Sequence, residues 1–470
     1  MRKYGVLRIL LCLLLIGSIL LLPVYAQEAN QDSSVLNGCH SADAKQPLLG
    51  MSQLVTNAKA VFLYETTSDT LLYAWEPDLS VEPASLAKIM TAFVAVEQGT
   101  LTDAVTVKKS VLDTVPEDAV VTGLQVDEVL TLEQLLYCMM IDSGNDAAAV
   151  IAEHVGGTQE DFVALMNAKA EELRCTGTHF TNAHGIYDAN QYTTVRDVGK
   201  ILAAALKNES FKQIFSTVYY TVPATNKSEE RNLTTGNYLM CTDDRPMYFD
   251  GRVTGGRTGV ANDSTRCLAV TAENNGMEVI SILVGAASVY EDDGYTVHSF
   301  GGYTETTALL DLGLNGYYSA NILYQDQVIT QRAVLNGNAS VSLGCANAAS
   351  TVLPEGVTFN NLSVKYVNGN AELTAPISKG ETVCGVELWY GGLCVAYTDV
   401  YALNSVGVAD DIVEKQDKGA MPWWGVVLLV MGILALIVGV FFILKYRIII
   451  QKSINNWRRK RRWKNRRGRR

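Results

Sequence analysis

Two apolar runs, Ala60–Glu65 and Thr70–Trp75, flank the turn-forming triplet Thr67-Ser68-Asp69 and predict a β-hairpin. Residues 86–98 then carry helical apolar spacing, opened by Pro83-Ala84-Ser85 and stopped by Gly99. Thr131 and Gln134 have capping-box spacing ahead of a helix over 135–141; a polar turn, Asp142 to Asp146, leads into another over 147–155. Further helices are predicted over 161–174 and 197–206. The pattern then turns to β: strands over 253–260, 266–272 and 277–285, the last two joined by Asn274-Asn275-Gly276, a hairpin turn signal. Hairpin, helices and late strands together predict an α+β domain, an antiparallel sheet with a helical cluster, over about residues 47–315. Residues 320–403 hold short alternating strands and Gly or Asn turns, predicting a small all-β domain; 405–422 reads as a polar stalk.

Two further apolar runs change the picture from a plain soluble chain. Residues 1–26 place Arg2, Lys3 and Arg8 before an apolar stretch ending in Val24-Tyr25-Ala26, the pattern of a secretory signal peptide. Residues 423–444 contain no charge, and at about 1.5 Å per helical residue they cover the roughly 30 Å of bilayer hydrocarbon. The tail over 445–470 carries 13 Lys or Arg and no acid, so the positive-inside rule makes it cytoplasmic and puts the preceding domains outside the cell. Beside a span, such a tail fixes topology and meets anionic lipid headgroups.

The formal charge of −11 therefore conceals an asymmetry: without the tail's +13 and the leader's +3 the exported portion stands at −27. A surface so acidic excludes nucleic acid as a partner. The eight cysteines beyond Cys12 show no zinc-ligand spacing, and a hairpin about Gly391-Gly392 would set Cys394 opposite Trp389, so no disulfide is predicted. Neither a metal nor another cofactor is expected, and oligomeric state is not legible.

Three short motifs carry the candidate chemistry. Ser85 and Lys88 lie three apart on one helical turn, so the amine can reach the hydroxyl. A lysine deprives a serine of its proton when burial and nearby positive charge lower its pKa. Ser143-Gly144-Asn145 sits in the polar turn between two helices and can point a hydroxyl and an amide into a cleft. Arg257-Thr258-Gly259 on a strand offers a cation, a hydroxyl and room for close backbone approach. Each alone is unremarkable; a capped helix, a turn and a strand would account for them separately.

In this order and context the three resemble the S-x-x-K, S-x-N and K-T-G elements of penicillin-recognising serine enzymes, with a β-lactamase/DD-peptidase-like fold. Pro83 through Ala92, residues 142–148, Phe180-Thr181-Asn182-Ala183-His184-Gly185 and Tyr192-Thr193-Thr194 resemble the low-molecular-mass D-alanyl-D-alanine carboxypeptidases in particular. Pro376-Ile377-Ser378-Lys379-Gly380 is similar to part of that family's second, β-rich domain. The resemblance implies a serine D,D-carboxypeptidase that removes the terminal D-Ala of peptidoglycan stem peptides in cell-wall synthesis and is covalently inhibited by β-lactams. It implies Ser85 as nucleophile, Lys88 as proton acceptor, Ser143 as proton relay and Asn145 as substrate-orienting amide. Arg257 and Thr258 would hold the terminal carboxylate, with Gly259 beside them. Backbone N–H groups of Ser85 and Val260 would form the oxyanion hole.

Arg257 departs from the family's usual lysine, and 262–266 lacks the usual Ala-Gly. Arginine keeps the charge but does not readily release a proton. That departure sustains an alternative, a non-catalytic muropeptide or β-lactam sensor. A β-lactamase is disfavoured by Gly144 within the second motif and by the lack of an acidic deacylation loop. His184 invites a Ser-His-Asp reading, but there is no nucleophile elbow, and a structural loop role is expected.

Overall fold

The computed structural model describes residue 48 and residues 56–261, 264–290, 297–369, 372–409 and 423–467. The leader, Cys39, residues 262–263 and most of the expected stalk lie outside the described residues.

The chain forms two compact units; the first runs through residue 327 and takes in 345–369 and 384–400. At its centre is a five-stranded antiparallel sheet in the order Thr70–Trp75, Ala60–Glu65, Met277–Ala286, Arg266–Asn274, Val253–Val260. The predicted hairpins therefore exist, and the first and last of them meet through Ala60–Glu65 and Met277–Ala286. Successive residues of a strand face opposite sides. Phe62 lies against Gly199 of the helix Val195–Ala205, where a Cβ would fall 2.4 Å from the ring, while Leu63 lies against Gly313 of the helix Gly301–Asn315. Both faces are thus covered, which is why Val61, Phe62 and Leu63 are all fully buried and the strand reads as a continuous apolar run.

A helical cluster sits beside the sheet. Its centre is Ala87–Gln98, in which every residue from Ala87 to Ala95 is buried, so no face remains for solvent. Around it pack Leu132–Ile141, Asn145–Gly156 and Gln159–Glu172. The Thr131–Gln134 capping box is present in both directions, and it starts the helix at Leu132, three residues earlier than the apolar pattern suggested. Three helices among the described residues were not expected from the sequence: the single-turn Lys109–Leu112, Glu209–Ser216 and Gly301–Asn315. Glu209–Ser216 is short and capped by Asn208, whose side chain accepts from Phe211 N. Gly301–Asn315 is rich in Gly and Thr, weak helix formers, and is held by packing against the sheet.

Beyond Asn315 the first unit adds two antiparallel pairs, Tyr317–Leu323 with Ala349–Pro354 and Ser363–Val367 with Thr382–Tyr390. In the second unit Val328–Arg332 pairs with residues 341–344, and Val406 and Val408 bridge to Ile377 and Gly337. Strand-like pairing therefore continues past Leu403, into the first residues of the expected stalk. Among the described residues of this region the only helical turn is Phe359–Asn361, as the all-β reading expects. The described cysteines are buried thiols. The helix Trp423–Arg467 contains the apolar segment, long enough to cross a membrane, and continues without interruption into the basic tail.

Candidate active site

The site is assembled where the start of the central helix meets the edge strand Val253–Val260. Pro83 precedes a single 3-10 turn, Ala84–Leu86, which runs directly into the helix Ala87–Gln98. Ser85 therefore stands at a helix entrance and Lys88 one turn deeper. Val81 is bridged on both backbone groups to Thr193, which anchors the approach to this turn. Ala84 and Ser143 both have positive φ, at 46° and 63°. Such backbone is costly for residues with a Cβ and persists where surrounding contacts over-determine it.

Lys88 is fully buried, and all three of its ammonium directions are used. Its Nζ donates to Asn145 Oδ1 at 2.7 Å, to the backbone carbonyl of His184 at 2.5 Å and to Ser85 Oγ at 3.3 Å. Ser85 Oγ in turn lies 3.3 Å from Ser143 Oγ. Burial pushes the Lys88 pKa well below its ordinary 10.5; the Arg257 cation pushes the same way and the Asp146 carboxylate opposes it. The combination favours a neutral amine beside the serine hydroxyl, the protonation state a general base requires.

Arg257 is placed differently from the sequence expectation that it grips substrate. Its guanidinium is buried and donates to Ser143 Oγ, to the Met140 carbonyl at 3.0 Å and to the Ser85 carbonyl at 3.4 Å. It braces the turn carrying Ser143 from behind and does not line the cleft. Burial lowers its pKa to about 10, and the nearby Asp142 carboxylate holds it up against that. The Asp142 carboxyl is itself pushed upward by burial and by Asp146.

The cleft has a volume of about 390 Å³. Ser85, Ser143, Asn145, Thr258, Gly259 and Val260 all line it, so every sequence-predicted site residue is either at its wall or, for Lys88 and Arg257, directly behind it. Gly259 is required by space: a Cβ built there would fall 3.0 Å from Ser85 N and 3.3 Å from Ser85 Cβ. The strand edge thus passes close across the nucleophile's N–H.

Several contributors lie in segments that the sequence reading noted for their resemblance without giving these residues a role at the site. Asp146 is buried and its carboxylate accepts from the backbone N–H groups of Thr122, Gly123 and Leu124, each at 2.9 Å, fixing the loop that brings Val120 to the cleft. Gly185, with φ 82°, allows its loop to lie against Ala84, where a Cβ would come within 1.9 Å of the carbonyl. His184 works through its backbone carbonyl. Its Nδ1 accepts from Ile186 N at 3.2 Å, and burial, with the Lys88 charge, lowers its pKa to about 4, so the ring is neutral. It belongs to no Ser-His-Asp arrangement, in keeping with its reading as a loop residue.

Residues 48–288 match the family model described as D-alanyl-D-alanine carboxypeptidase, and residues 317–408 match the penicillin-binding protein 5 C-terminal domain. The D-alanyl-D-alanine carboxypeptidase DacA of Haemophilus influenzae is 29% identical over 385 residues, covering 80% of this chain and 92% of its own. DacF of Bacillus subtilis, of the same description, is 27% identical over 368 residues, covering 77% and 89%. Crystal structures of penicillin binding protein 5 from Haemophilus influenzae superpose with a TM-score of 0.60 at 27% identity, covering 76% of this chain and 100% of that one.

Proposed function

The chain belongs to the D-alanyl-D-alanine carboxypeptidase family, and on that premise we propose that Ser85 is its acylated nucleophile, activated by Lys88. The observation that carries this reading is the fully buried Lys88 amine, 3.3 Å from Ser85 Oγ and beside a buried cation.

In this reading Ser85 Oγ attacks the carbonyl of the penultimate D-Ala while its proton passes to Lys88 Nζ. The negative charge that develops on the carbonyl oxygen is met by the N–H groups of Ser85 and Val260, preorganised donors of a kind worth a hundredfold or more in rate. The C–N bond to the terminal D-Ala then breaks, and the leaving nitrogen takes a proton from Lys88 by way of Ser143 Oγ. Water, deprotonated by the same amine, cleaves the ester and restores Ser85. Thr258 offers its hydroxyl to the terminal carboxylate from the cleft wall, and Arg257 contributes charge from behind Ser143. Asn145 holds Lys88 and stands beside the incoming peptide. β-Lactams would trap the acyl stage by the same attack.

We place the two folded units on the outer face of a membrane, held by the helix over 423–444, with the basic tail on the cytoplasmic side against anionic lipid. The uninterrupted apolar segment and the one-sided positive charge support this topology. Labelling the full chain with a fluorescent penicillin and mapping the modified peptide tests the nucleophile: the adduct is expected on Ser85, and an adduct elsewhere would refute the assignment.

A further inference from the structure

A short hairpin, Tyr219–Val222 with Arg231–Thr234, stands outside the cleft: among the described lining residues none comes from it. Its Tyr220 ring stacks on Tyr137 with centroids 3.9 Å apart, which fixes it to the helix Leu132–Ile141 that leads into the Ser143 turn. From this base the hairpin reaches the loop that precedes Thr131. Arg231 donates to both carboxylate oxygens of the fully buried Glu128, at 2.7 and 2.8 Å, and its Nη2 also donates to the Gly123 carbonyl at 3.2 Å. Glu128 accepts in addition from Gln125 N at 2.9 Å and from Thr225 Oγ1 at 2.8 Å. Asn226 accepts from Val129 N at 2.9 Å and donates to the Asp127 carbonyl at 2.8 Å. The ion pair is thus closed around residues 123–125 from outside. From inside, the Asp146 carboxylate holds the N–H groups of residues 122–124, and the Val120 carbonyl accepts from Asn145 N at 2.9 Å.

An apolar pair of the same volume would stabilise this contact about as well as buried ions, whose desolvation cancels much of their attraction. A guanidinium fork and a carboxylate do what an apolar pair cannot: they hold particular backbone groups, the Gly123 carbonyl and the Gln125 N–H, in fixed places. Val120, three residues before Gly123, is 59% exposed and lines the cleft, so its place depends on the loop that carries it more than on packing. Resting on the carboxypeptidase reading, we propose that Arg231 and Glu128 are positioning residues for that reaction: they clamp the loop over 120–125 against Asp146, keep Val120 at the cleft wall and so set the affinity for the acyl donor. Neither residue lines the cleft or contacts Ser85 or Lys88. Loosening the clamp is therefore read in the half-saturating concentration and not in the limiting rate of acylation.

The test follows acylation of the full chain by a chromogenic β-lactam in stopped flow, which separates half-saturating concentration from limiting rate. Backbone hydrogen exchange over 120–125 and D-alanine release from a stem pentapeptide are measured beside it. Arg231→Met removes every donor but leaves Glu128 buried and unpaired, which can unfold the chain, so Arg231→Lys, which keeps the carboxylate paired and loses the fork, is measured with it. Each variant that melts above the assay temperature is expected to raise the half-saturating concentration, by about threefold in Arg231→Lys and about tenfold in Arg231→Met, with faster exchange over 120–125. The limiting rate is expected to stay within about twofold of the wild type. An unchanged half-saturating concentration in Arg231→Lys overturns the inference, as does a fall in limiting rate alone. A wild-type chain that acylates but releases no D-alanine overturns the carboxypeptidase reading, while a raised half-saturating concentration in the variants still upholds the clamp. A wild-type chain that does neither overturns both.

Discussion

Arg257 donates to the hydroxyl of Ser143, and the same guanidinium reaches the Met140 and Ser85 carbonyls. One buried side chain thereby ties the edge strand to the turn holding the proton relay and to the turn holding the nucleophile. A lysine amine in its place keeps the charge but cannot span three acceptors in a fixed fork. Arg257→Lys is expected to retain penicillin acylation within about tenfold. Arg257→Met, which leaves Ser143 and the Met140 carbonyl without their donor, should lower the acylation rate by about a hundredfold or more. Stopped-flow acylation with a chromogenic β-lactam checks both.

The Lys88 pKa lies below its ordinary 10.5 in the folded chain. Between the folded and ordinary values the unfolded chain binds the additional proton, so this group's contribution to stability falls as pH drops through that window and recovers toward 10.5. Urea unfolding followed from about pH 7 to pH 10 should show the wild type gaining on Lys88→Met as pH rises. Acylation should increase with pH until the amine is neutral, and Arg257→Met, by removing a nearby cation, should move that limb to higher pH. A pH-independent difference between wild type and Lys88→Met would contradict the assignment.

Gly259 leaves 3.0 Å between a would-be Cβ and Ser85 N. Gly259→Ala is expected to crowd the Ser85 N–H and cost about a hundredfold in acylation, with a small change in melting temperature, because the contact lies at the cleft wall. Parallel thermal unfolding and acylation measurements separate these effects.

Asp146 accepts from three successive loop N–H groups while itself buried. Asp146→Ala leaves those donors unsatisfied and should destabilise the chain by about 3 kcal/mol, with looser β-lactam binding through the freed Val120 loop. Denaturant titration and a KM measurement on the same variant test the pairing of stability with substrate affinity.

The nucleophile and its base were legible because their spacing is local: three residues on one helical turn place Lys88 under Ser85. The hairpin Ala60–Glu65 with Thr70–Trp75 was legible because a polar triplet separates two apolar runs. Arg257 shows where sequence stops. Its position on the strand could be read, but the direction of its side chain depends on how Ser143 and Met140 are brought behind the cleft by tertiary packing. The His184 carbonyl that receives Lys88 is a backbone group ninety-six positions away and leaves no mark in residue type. The helix Gly301–Asn315 was hidden because its glycines and threonines disfavour a helix until the sheet supplies a surface.

The most direct test is free D-alanine released from a stem pentapeptide ending in D-Ala-D-Ala, measured for the wild-type chain beside Ser85→Ala. The account predicts steady release by the wild type and none above background by the variant. No release by a wild-type chain that still forms a covalent penicillin adduct on Ser85 would contradict it, leaving a protein that acylates without turning its substrate over.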